Sequence, residues 1–217
     1  MKLIYILLLI LLGLFIFCLC RQNPDHLIYK NFINTINNDI NISELIKDPI
    51  GNKIIFTIWT NDNDLTQNRY AGLLSLKRMK DITMINVNKD NLHLFIHDNS
   101  PIHPAYKYLS TIHKADYLRC YLMHHWGGGY SDIKKHTDMF KWSLLFDKIK
   151  NDNNLWLIGL SNDFNLAFSK DNSKLLNDEL NKNYTKMVGI GYFIYKPNTK
   201  ITSEWFYKLN LILDNYL

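Results

Sequence analysis

The residues best suited to chemistry lie in the run ADYLRCYLMHHWGGGYSDIKKH, from Ala115 to His136. Asp116 and Arg119 stand three apart, which puts them on one face of a helix. Gly127, Gly128 and Gly129 end that helix, and Asp132 follows almost at once. A helix C-cap needs one glycine, or two with a turn. The third is surplus, and glycine lets a ligand or another backbone come close. An aspartate at such a turn offers oxygen to a hard cation such as Mn2+ or Mg2+, which takes carboxylate and phosphate oxygens together. Lys134 and Lys135 offer a second chemistry, positive charge for a diphosphate, the group that needs neutralising as its bond to a sugar breaks. Each feature also has a plainer reading: an i,i+3 ion pair worth about a few tenths of a kcal/mol, a turn aspartate, a pair of solvated lysines. The histidines add less. His124 and His125 point about 100° apart on a helix and make a poor chelating pair, and His113 stands well upstream. Packing or solvent roles suit them, and His136 alone is expected to line the site.

Such residues need a scaffold, and the pattern around them supplies one. KIIFTIWT (Lys53–Thr60) is a buried-strand run of β-branched and aromatic residues. Thr66 to Lys80 carries Tyr70, Leu73, Leu74, Leu76 and Met79 at helical spacing. Ile82–Val87 reads as a second strand, and Asn91–Ile96 fits either helix or strand. Ala105 to Trp126 is mostly helical, with a break near Ser110. Short strands are expected at Tyr130–Ile133, Leu155–Leu160 and Met187–Tyr195, and helices at Phe140–Ile149 and Thr202–Tyr216, the last capped by Thr202 or Ser203. Strands alternating with helices imply an α/β domain with a largely parallel sheet. Ligands in such sheets bind outside the carboxyl ends of strands, near a switch in strand order.

Composition bounds the rest. The chain has 217 residues, of which 47% are hydrophobic, enough for one domain with a real core. A net charge of +5 with dispersed lysines suits anionic small molecules and gives no nucleic-acid footprint. Leu3 to Cys20 is an uncharged apolar run between Lys2 and Arg21. It spans about 27 Å as a helix, enough for a membrane anchor and longer than a signal peptide's apolar region. The expected plan is an anchor at 1–21, a polar, Asn-rich stem at 22–50 and a domain at 51–217. Cys18, Cys20 and Cys120 show neither disulfide nor zinc spacing. NIS at Asn41 and NYT at Asn183 are glycosylation sequons.

The run HKADYLRCYLMHHWGGGYSDIK (His113–Lys134) resembles the signature of DXD-motif sugar transferases, the families of capsular polysaccharide synthesis proteins and initiating α-mannosyltransferases. Ala115, Asp116, Leu118, Arg119, Gly128, Gly129, Tyr130 and Asp132 match it, KIIFTIWT is similar to the opening strand of those families, and HPAYKYLS to the segment before the motif helix. The resemblance covers roughly Lys53 to Tyr195. It implies a GT-A-like (Rossmann-like) fold, a nucleotide-sugar donor, Mn2+ or Mg2+, and hexose transfer to a glycan or glycoprotein with retention at the anomeric carbon. It assigns Asp116 to the donor's ribose or sugar, Arg119 to support of the site, and Asp132 to the metal and diphosphate. Trp59 and Thr60 would flank the base, while Gly128, Gly129, Tyr130 and Lys134 would complete the donor site. With the anchor, it implies a single-pass membrane protein, of ER- or Golgi-type membranes if the chain is eukaryotic or viral in a eukaryotic host.

Two features depart from the family pattern. Lys134 stands where the second aspartate of DxD is expected, which leaves the cation requirement open. The chain also stops at Leu217, inside an expected helix, where related chains continue. These departures keep a second reading in view, a non-catalytic membrane-anchored relative that binds a glycan or nucleotide. Asp163, and Gly189 and Gly191 in VGIGYF, are further candidates for the acceptor side.

Overall fold

The computed structural model describes residues 32, 36–61, 63–136, 141–161, 178–179, 182–183 and 186–215. The expected anchor at 1–21, most of the stem before residue 36, and the carboxylate at position 163 lie outside them. Among the described residues no helix is long and apolar enough to cross a membrane.

Five strands form one sheet: β1 (Ile54–Ile58), β2 (Thr83–Val87), β3 (Gly128–Ser131), β4 (Leu157–Ser161) and β5 (Val188–Tyr195), in the order β2-β1-β3-β5-β4. β1 pairs in parallel with both β2 and β3, and β5 pairs antiparallel with both β3 and β4. Four strands therefore run one way and β5 runs against them. The result is a mixed α/β fold with a mostly parallel sheet, compatible with a Rossmann-like architecture.

β1 is buried at every position because helices cover both faces of the sheet. Its side chains alternate between two cores, as the twofold period of a strand requires. Ile54, Phe56 and Ile58 pack with Tyr117, Leu118, Tyr121 and Leu122 of one helix, Thr111–His125. On the other face Ile55 packs with Trp142, Phe146 and Ile149 of the helix Trp142–Asn151. In chain order the helices are α1 (Ile42–Leu45), α2 (Gln67–Lys77), α3 (Thr111–His125), α4 (Trp142–Asn151) and α5 (Lys200–Asp214). α2 places Leu73 and Leu76 in a cluster with Met84 and Ile133. α5 lies beside α3, with Phe206 stacked on His124 at 4.9 Å and edge-on to Tyr121 at 5.8 Å.

Local capping sets the boundaries. Thr66 caps α2 by accepting from Arg69 N, and Ser110 caps α3 by accepting from His113 N. The expected break near Ser110 is therefore real: a 3-10 helix, Pro104–Tyr108, precedes it. The ambiguous Asn91–Ile96 segment holds another 3-10 helix, Leu92–Phe95. At α5 the cap is Thr199, whose Oγ1 accepts from Thr202 N, and this corrects the expected cap at Thr202 or Ser203. Asn198 turns at φ 53° after Pro197, so the helix starts at once. Thr202 is fully buried and bonds back to Thr199 O. The expected stem also needs amending. Ile36, Ile42 and Ile46 are buried in the core clusters, so the packed domain begins before residue 51.

Candidate functional site

From β1 the chain passes through α2 to β2 on one side, then returns through α3 to β3 on the other side of β1. Strand order thus reverses between β1 and β3, which opens a crevice beyond their carboxyl ends. A cleft of about 310 Å³ occupies that position, its walls including Trp59, Thr60, Arg69, Asp116, Arg119 and Asp132. Trp59 and Thr60 follow β1, Asp132 follows β3, and the two helices contribute Arg69 (α2) and the Asp116–Arg119 pair (α3).

Arg119 is the hub. It is only 7% exposed. Its Nη2 lies 3.0 Å from Asp116 Oδ1 and 3.7 Å from Asp132 Oδ1, and its Nη1 donates to Ile190 O at 2.7 Å. The guanidinium lies over the Tyr130 ring, 4.5 Å from its centroid, a cation–π contact strengthened by burial. Its buried Nε–H has no partner among the described residues, so protein groups do not exhaust its donors.

Asp132 is held from several directions. Its backbone N donates to Gly191 O at 2.8 Å. Tyr130 donates its hydroxyl to Oδ1 at 3.1 Å, and Lys134 Nζ lies 3.0 Å from Oδ2. Burial pushes the Tyr130 phenol up, the nearby Asp132 carboxylate adds to the rise and the Arg119 charge opposes it. Tyr130 therefore remains a hydrogen-bond donor at neutral pH.

These residues do not fit a divalent cation. Mn2+ or Mg2+ needs several oxygen ligands around it. Both oxygens of Asp132 already face donors, one of them an ammonium, and Asp116, the other nearby carboxylate, is paired with Arg119. Among the described residues no group of three or more His, Cys, Asp or Glu side chains could hold a metal.

The remaining sequence candidates separate. Trp59 lines the cleft and donates its indole N–H to Asn63 O at 3.0 Å, while Thr60 lines it beside Trp59 and is 9% exposed. Gly128 and Gly129 do not line it. They are buried in β3, where a Cβ on Gly128 would meet Pro49 and Ile54 and one on Gly129 would meet Phe146 and Ile55. Their close approach is to the chain's own atoms. Lys134 reaches the site only through its ammonium on Asp132. His136 is not among the residues lining the cleft. Its Nε2 lies 2.8 Å from Ser131 Oγ, and burial lowers its pKa. His124 and His125 pack against Phe206.

Sequence reasoning missed Arg69. It sits in the first turn of α2, where a cation opposes the helix dipole, lines the cleft and donates to Ile133 O at 2.6 Å. That unfavourable placement, in the first turn of the helix that follows β1, was the available signal.

Comparison with protein-family models, with curated proteins and with solved structures finds no match to this chain.

Proposed function

We propose that this chain is a glycosyltransferase with a GT-A-like domain, moving a hexose from a nucleoside-diphosphate sugar to a glycan or glycoprotein, with retention. Residues 1–21 would tether it to a membrane. The reading rests on one observation: a cleft at the strand-order switch gathers Asp116, Arg119 and Asp132, three residues of the sugar-transferase signature, with Trp59 and Thr60.

In this reading Trp59 and Thr60 flank the base, and the half-exposed Asp116 carboxylate accepts from a ribose or sugar hydroxyl. Arg119 and Arg69 face the diphosphate. Transfer breaks the bond between the anomeric carbon and a diphosphate oxygen and forms one to an acceptor hydroxyl oxygen. The diphosphate leaves with the bonding pair and takes up the hydroxyl proton. Fixed cations in a partly desolvated cleft favour that developing charge more strongly than water does.

The test is sugar release or transfer from radiolabelled nucleoside-diphosphate sugars by the full chain and by Asp132→Ala. Turnover that falls about a hundredfold or more in the variant is expected. Failure of every such donor to bind would overturn the reading. A second reading, binding without turnover, draws on Lys134 occupying Asp132 Oδ2. It predicts donor binding with no sugar released.

A further inference from the structure

Resting on the donor reading above, we infer that the diphosphate is held without a divalent cation, Lys134 standing on Asp132 where a metal ion would stand. Charge is the first argument. Arg69, Arg119 and Lys134 set three cations against the two carboxylates Asp116 and Asp132. Among these described residues the charges sum to one positive, Lys134 supplying the excess, before any ion enters. A divalent cation would add charge to charge, and would have to displace an ammonium from Oδ2 and a phenol from Oδ1.

Geometry is the second argument. A lysine ammonium carries three N–H donors, and Asp132 takes one of them. The Lys134 side chain is 57% exposed while that of Asp132 is 26% exposed. The ammonium also lies 5.9 Å from the centroid of the Tyr192 ring, and the exposure of its side chain leaves donors to share with phosphate oxygens. Arg119, 7% exposed and braced by Ile190 O and the Tyr130 ring, supplies the fixed charge. A buried arginine fork and a movable lysine together do the work of charge neutralisation that a metal ion does elsewhere.

The experiment is titration calorimetry of the full chain in detergent with UDP, GDP, ADP and CDP, in EDTA and in MnCl2. The wild type should bind one of these with a Kd that differs by less than about threefold between the two buffers. Lys134→Met should weaken binding about tenfold or more in both, the size expected for one charge-assisted hydrogen bond. Lys134→Asp, which supplies a second carboxylate, should lose binding in EDTA and regain it with Mn2+. Melting curves confirm that each variant is folded. Wild-type affinity that rises about tenfold with Mn2+ overturns the inference and leaves the donor reading standing. Unchanged binding by Lys134→Met, or no regain by Lys134→Asp, also overturns it. No nucleoside diphosphate bound in either buffer removes the donor reading and the inference together.

Discussion

Gly191 and Asp132 interlock across the β3–β5 pair. Asp132 N donates to Gly191 O at 2.8 Å, and a Cβ on Gly191 would lie 3.2 Å from Asp132 Oδ2. The missing side chain leaves the carboxylate room to stay where Tyr130 and Lys134 hold it.

Gly191→Ala should therefore disturb ligand binding more than folding. A glycine in a strand costs about 0.5–1 kcal/mol relative to alanine, and that gain offsets much of the tight contact. Stability in urea should stay within about 1 kcal/mol of wild type. The carboxylate must shift by a few tenths of an ångström, so under the donor proposal affinity for a nucleoside diphosphate should fall about three- to tenfold. Calorimetry beside a urea titration separates the two effects. Intact affinity would show that Gly191 does not set the position of Asp132.

Gly127→Ala should do the reverse. Gly127 adopts φ 68°, and a Cβ there would meet Pro197 Cδ at 2.5 Å and Tyr195 O at 2.9 Å. Left-handed strain of about 1–2 kcal/mol adds to overpacking of about 1–3 kcal/mol. Urea unfolding should show a loss of about 2–5 kcal/mol. A loss below about 1 kcal/mol would mean that the turn relaxes without cost.

The legible parts of this molecule are those whose signals are local. β1, α2, α3 and β2 follow from runs and spacings within a few residues, and Asp116, Arg119 and Asp132 from one short motif. What was not legible depends on tertiary placement. Arg119 bonds Ile190 O, 71 residues away, and Arg69 bonds Ile133 O, 64 residues away. Only the sheet order brings those groups together. The glycine run shows the same limit from the other side. Its excess was visible, but the atoms that demand it belong to Pro197, Ile54 and Phe146, which local sequence does not place there. The reversed β5 was equally hidden, because an apolar run carries no mark of strand direction.

Arg119→Met should destabilise the fold as well as the site. Losing the guanidinium leaves Asp116, Asp132 and Ile190 O without their shared cation or donor. Asp116 is half-exposed and Asp132 keeps Lys134 and Tyr130, so the unpartnered groups cost about 2–3 kcal/mol in all. Arg119→Lys keeps the charge but cannot fork to Nη1 and Nη2 partners together, so an intermediate loss of about 1–2 kcal/mol is expected. Equilibrium unfolding of both variants checks the order. Equal stability of the two would show that charge alone, without the forked geometry, sustains the network.

Acid should loosen the α3–α5 contact. His125 is surrounded by the rings of Tyr121 at 4.4 Å, His124 at 4.6 Å, and Phe206 and His97, both at 5.1 Å. Its Nε2 lies 3.1 Å from Ser100 Oγ. Burial first, then the neighbouring His124 and His97, lower its pKa from 6.5 to about 4. Burial also lowers the pKa of His124. Between those values the unfolded chain binds the proton that the folded chain refuses, so stability rises with pH across that window. The contribution is complete above about pH 6.5 and is lost progressively as pH falls toward 4. Urea unfolding at about pH 7.5 and pH 5 should show wild type losing stability at the lower pH, a range still mostly above carboxylate titration. His125→Gln, which does not titrate, should start less stable but lose less over the same interval. An identical loss in both proteins would assign the acid sensitivity to groups other than His125.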